Sequence, residues 1–128
     1  MLFRSIDDPA IIRKNGNQEW HVDGKRHRLD GPAHIDINGH QEWHQNGKRH
    51  RIDGPAIIWP DGSEEWYRNG KLHRPDGPAL IWKNCSYGWY FQNVNFCTYV
   101  EEWIIESGVG PWEDWTDVEK LLFRIKFQ

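Results

Sequence analysis

The chain has 128 residues and a formal charge of -3, with 16 Lys and Arg set against 19 Asp and Glu. Its mean hydropathy is only -0.86, yet 14% of the residues are aromatic and nine are Trp. The length admits one domain; the aromatic content excludes a disordered chain, and the near-balance of charge excludes both a polyanionic nucleic-acid mimic and a generic basic nucleic-acid binder. Aromatic side chains bury roughly 150–250 Å² each, so a few Trp can replace a thick aliphatic core. Cys85 and Cys97 match neither a disulfide framework nor a paired-cysteine zinc pattern, so reduced thiols of a cytoplasmic protein are expected. Residues Met1 to Asp8 carry no apolar signal region and no long apolar run follows, so no membrane role is expected.

From the first residues onward the chain repeats itself every 23 positions. Pro9, Pro32, Pro55 and Pro78 share one phase, and Trp20, Trp43, Trp66 and Trp89 another. The unit reads D-G-P-A-x-I-x-x-x-G-x-x-E-W-x-x-N-G-K-x-H-R-x, with copies at about 8–30, 31–53, 54–76 and 77–95. The first copy is degenerate at its front, Asp7-Asp8-Pro9-Ala10, and the last decays after Trp82, where Cys85 replaces a turn glycine.

Each unit carries its own punctuation. Asn15-Gly16, Asn38-Gly39 and Asp61-Gly62 are turn dipeptides, as are Asp23-Gly24, Asn46-Gly47 and Asn69-Gly70. Such pairs suit two-residue type I′ turns, which need positive φ at both central positions. Between them lie short alternating segments such as Ala33-His34-Ile35-Asp36-Ile37 and Gln41-Glu42-Trp43-His44-Gln45. A mainly β fold is expected: a single-layer antiparallel meander of hairpins, two or three short strands per unit, over residues 1–95.

Past residue 95 the apolar period changes from 2 to 3.6. Phe96, Tyr99, Val100, Trp103 and Ile104 form a helical stripe, with Thr98 and Glu101 as a capping box and Ser107-Gly108 as the stop. A second helix follows Gly110-Pro111, capped by Thr116 and Glu119, with Val118, Leu121, Leu122 and Ile125 on one face. Residues 96–128 hold seven acids and three bases, so this helical cap is the acidic part. The stripes are expected to bury on a sheet face or across the open sheet edge, in one compact unit with the repeats.

The 23-residue period, with N-G-K turns after an aromatic strand, is similar to MORN-like hairpin repeats, although Glu-Trp, His-Arg and Asp-Gly-Pro-Ala replace their Tyr and Gly. More closely, His27 to Ile35, His50 to Ile58 and His73 to Ile81 resemble small tailed-phage proteins with tandem H-R-x-D-G-P-A-x-I units and a short helical C-terminus. That resemblance implies a phage-borne accessory protein acting in the host cytoplasm. Several such proteins bind and inhibit a host factor, including CRISPR-type defence machinery.

No catalytic constellation emerges. His27, His50 and His73 fall ~10 Å or more apart in a meander of ~4.8 Å strand spacing, too far to share one ion, so no metal or cofactor is expected. The Asp is expected to cap its turn, with His and Arg bonding to or stacking on the Trp of a neighbouring hairpin. Ser5, Ser63, Ser86 and Ser107 stand in no nucleophile motif. A protein-binding module is therefore the first reading. The second is a nucleotide- or nucleic-acid-binding protein using the repeated stripe around Arg28, Arg51 and Arg74, blunted by the interleaved Glu and Asp. A metal-dependent hydrolase is third, and self-association through a sheet edge is open.

Candidate partner-binding residues are Trp59, Trp82, Trp112 and Trp115, with the three arginines. Trp59 and Trp82 occupy a position that is Arg13 and Asp36 in earlier units, so the repeat does not require them. Trp112 and Trp115 flank acids ahead of the last helix. Trp and Arg are favoured anchors at protein interfaces. The competing reading puts Trp59 and Trp82 beneath the helical tail.

Overall fold

The computed structural model describes residues 11–84 and 86–128; Asp7 to Ala10 and Cys85 lie outside them. The repeats form the expected antiparallel hairpin meander, followed by two C-terminal helices, but each unit contributes four two-residue strands rather than two or three. In the second unit these are His34–Ile35, Gln41–Glu42, His44–Gln45 and Lys48–Arg49. The first two of every unit join one eight-stranded sheet in strict chain order, from Ile11–Ile12 to Tyr87–Gly88. The last two form a separate hairpin, and successive hairpins are stitched side by side by backbone bonds such as Arg28 N–H to the His44 carbonyl (3.1 Å) and Gly47 N–H to the Arg26 carbonyl (2.9 Å).

The repeat Trp is the hinge between these two rows. Trp43 donates its backbone N–H to the Ala56 carbonyl of the next unit (2.7 Å), while its own carbonyl accepts from His50 N–H (3.1 Å). Ala33, Ala56 and Ala79 are fully buried at this crossing, which explains why a small residue follows Asp-Gly-Pro in the repeats.

The two turn families differ. At the hairpin tips both central residues have positive φ, as in Asn46 (53°) and Gly47 (80°), the expected type I′ form. In the eight-stranded sheet only the glycine does, as Gly39 at 94°. There the loop is longer: Asp36 N–H bonds the His40 carbonyl and the Asp36 carboxylate takes Asn38 N–H. The I′ expectation for Asn15-Gly16, Asn38-Gly39 and Asp61-Gly62 is thus corrected. An Asx-stabilised turn closed by a left-handed glycine satisfies those donors instead.

Helix α1 spans Cys97–Ser107 and stops at left-handed Gly108, as expected. Its start differs: the helix begins one residue before Thr98, so Thr98 sits too deep to cap, and the Asn95 side chain takes Cys97 N–H at 2.8 Å. Helix α2, Asp117–Phe127, does carry the Thr116–Glu119 capping box. The cap packs on the final hairpin. Its core is Trp89, Phe91, Val100, Trp115 and Phe123, with Trp103, Phe96 and Phe127 packed around them.

The apolar stripes are only partly right. Tyr99 faces solvent, and so do Val118, Leu121, Leu122 and Ile125. Phe123 and Phe127, one turn apart, turn inward instead, with Phe123 lying 5.2 Å from Trp89 and 5.3 Å from Trp115 between ring centroids. Large rings bury more area per residue than aliphatic chains, so the aromatic face wins.

Candidate functional site

The arginine stripe is built into the scaffold. Arg28, Arg51 and Arg74 lie 3.9, 4.0 and 3.7 Å over Trp20, Trp43 and Trp66, each the Trp of its own unit rather than of a neighbouring hairpin. Each guanidinium also donates to the aspartate two residues on and to a proline carbonyl; for Arg51 these are Asp53 at 3.2 Å and Pro55 at 3.1 Å. Their side chains are only 11–24% exposed. The unit's glycine makes room for the stack. A Cβ at Gly54 would sit 2.5 Å from Arg51 Cζ, so here glycine serves close approach rather than an unusual φ.

The histidines do bond to the neighbouring hairpin. His27, His50 and His73 accept the backbone N–H of Asn46, Asn69 and Gln92 at 3.0, 3.0 and 3.2 Å. Each His therefore fixes the turn of the next unit. Among the described residues no group of three or more His, Cys, Asp or Glu is placed to hold a metal ion. Cys97 also has a structural place, its sulfur accepting Trp89 N–H at 3.3 Å.

The carboxylates ahead of the first three repeat Trp, expected to pair with the interleaved bases, form a row across the eight-stranded sheet. Glu19 is tied to Arg13 (2.7 Å), His21 (3.4 Å) and Arg26 (3.2 Å). Burial opposes its charge, but the bonds from Arg13 and His21 hold its carboxyl below the ordinary value. Glu42 meets His44 (3.1 Å), His40 (2.7 Å) and Arg49 (3.4 Å), and these, His44 foremost, hold it far below the usual carboxylate range. Glu65 accepts from the Tyr67 hydroxyl (2.8 Å), and burial together with that carboxylate pushes the phenol up to about 12. The signal is a Glu before three of the four repeat Trp, Trp89 following Gly88 instead. Its meaning depends on residues 2 to 7 positions away that change from unit to unit.

The four tryptophans divide two and two. Trp115 is buried in the cap core, its indole N–H donating to the Gly110 carbonyl at 2.9 Å. Trp112 closes the end of the array. It lies against Arg74 (4.7 Å), donates to the Asp76 carbonyl (3.3 Å), and covers Gly77 where a Cβ would come within 2.6 Å. Trp59 and Trp82 are not beneath the helices: both lie outside the cap cluster and are 42% and 45% exposed. Each follows a strand of the eight-stranded sheet, Ile57–Ile58 and Leu80–Ile81, with only Glu64–Glu65 between them. Two strand spacings put them ~10 Å apart. Trp59 is also held in place, its indole N–H donating to Glu65 and its ring 4.4 Å from His40.

The grooves along the repeats are open. One runs past Leu29, Trp43, Gln45 and Ile52, and its counterpart one unit on past Ile52, Trp66, Arg68 and Pro75. Comparison with family models, with curated proteins and with solved structures found no match.

Proposed function

We propose that the chain is a non-enzymatic protein-binding module that presents Trp59 and Trp82 from the loop edge of its eight-stranded sheet. The observation that carries this reading is the pairing of exposure with fixation at Trp59. It is 42% exposed, yet held by Glu65 and packed on His40. An anchor already held in its bound rotamer loses little side-chain entropy on docking. Position, too, favours it. The same loop site is Arg13, Asp36, Trp59 and Trp82 along the array, so the repeat leaves its chemistry free to vary there.

The resemblance to small phage proteins extends the reading to a partner class: a host protein or protein complex, including CRISPR-type defence machinery, that the module binds and inhibits in the host cytoplasm. The arginines that a nucleic-acid-binding reading would use are engaged with Trp, Asp and Pro, which favours protein over nucleic acid. The test is affinity capture from host lysate by wild type and by Trp59→Ala/Trp82→Ala. A partner held by the wild type and lost by the double variant supports the proposal. Retention of the same partner, or salt-sensitive binding of an oligonucleotide in its place, overturns it.

A further inference from the structure

Among the described residues, none covers the outward face of helix α2, and the loop-edge reading above does not use it. Val118, Leu121, Leu122 and Ile125 recur at helical spacing and are 50–70% exposed. The opposite face is already used, Phe123 being wholly buried and Phe127 packed beside it in the cap core. Four large aliphatics at this exposure make a continuous patch of several hundred Å², reaching the about 300–600 Å² typical of the largest patch on a monomer. A standard interface takes about 800 Å² from each partner, so this patch with its charged flanks is of the right order for one contact.

The charges say what fits it. Asp117 and Glu119 stand in the first turn, Arg124 and Lys126 in the last. Viewed down the helix, Asp117 and Arg124 edge one side of the aliphatic stripe, Glu119 and Lys126 the other. Among the described residues none of the four makes an ion pair within the chain. A second α2 laid antiparallel across a two-fold axis keeps each edge facing its own counterpart. Asp117 then opposes Arg124 of the second copy on one edge, and Glu119 opposes Lys126 of the second copy on the other. Leu121 and Leu122 meet their equivalents at the centre. A parallel two-fold pair would bring opposite edges together and set Asp117 against Glu119 of the second copy and Arg124 against Lys126 of the second copy, like against like. The pattern is self-complementary in one orientation only.

We infer that α2 is a homodimerisation helix, pairing antiparallel with a second copy of this chain through Val118, Leu121, Leu122 and Ile125. The interface is helical and stands apart from the sheet edges.

Sedimentation equilibrium on the full chain, with circular dichroism to confirm folding, tests this in two steps. Wild type is expected to be a concentration-dependent dimer, and Leu121→Glu a folded monomer. Asp117→Arg is expected to weaken the dimer about tenfold through like-charge contact with Arg124 of the second copy. Adding Arg124→Asp reverses both members of the pair and restores the affinity to within about threefold. A wild-type monomer at high concentration overturns the inference. So does a dimer indifferent to Leu121→Glu, which would point to a sheet edge. Failure of the charge reversal to rescue overturns the antiparallel geometry.

Discussion

At the scale of single residues, one four-membered cluster recurs through the repeats: an arginine laid on a Trp, bonded to an aspartate and to a proline carbonyl. A partly desolvated cation over an indole contributes up to about 2 kcal/mol, and the planar guanidinium fork is what reaches both oxygens at once. Arg51→Ala is therefore expected to destabilise the chain by about 2 kcal/mol in urea titration, and Arg51→Lys to recover less than half of that. A change within about 0.5 kcal/mol would mean the stack is decorative. The buried titratable groups set a pH dependence. Burial, with Arg26 nearby, lowers His34 from 6.5, and burial with Arg68 lowers His73. The unfolded chain then takes up protons that the folded chain refuses, so stability falls as pH drops below about 6.5. Glu19 and Glu42 are lowered from 4.5, so what they contribute is complete above that value and is lost on further acidification. Thermal melts from pH 8 to 3 should show both declines, and His34→Gln should flatten the upper one. The sequence showed that Arg, Asp and Trp share a phase. It did not show that they touch within one unit, because that depends on how sharply the Asp-Gly-Pro turn brings the chain back.

At the scale of elements, the tip turns and the α2 cap were legible because each rests on chemistry only a few residues long. Positive φ at Asn46 and Gly47 and the Thr116–Glu119 exchange are local facts. Thr116→Ala leaves Glu119 N–H without its partner (3.3 Å) and is expected to cost about 1 kcal/mol, while Thr116→Ser stays near wild type in the same melts. The α1 start is hidden in the sequence because Asn95, at the end of a strand, competes for the first helical N–H. The buried face of α2 is hidden for a different reason. Periodicity finds an apolar stripe, but this helix has two, and only the neighbouring Trp89, Phe91, Trp103 and Trp115 decide which turns inward.

At the scale of the whole molecule, the 23-residue period places buried Ala and half-buried to buried Trp and Arg in one seam and lets the loop row vary. Trp43 and Trp66 serve the first purpose; Trp59 and Trp82 stand in the second. Trp112 and Trp115 looked equivalent to Trp59 and Trp82 in the sequence, yet they close the end of the array, because nothing local reveals that Gly77 lies beneath an indole. The proposed division gives scaffold and recognition different residues of one repeat. It is tested most directly by measuring thermal stability and partner capture side by side for Trp59→Ala/Trp82→Ala and for Arg51→Ala/Arg74→Ala. The first pair is expected to abolish capture while the melting temperature moves by no more than about 3 °C. The second pair is predicted to lower the melting temperature by about 10 °C while the fraction still folded keeps its partner. Loss of stability without loss of binding in the tryptophan pair would contradict it.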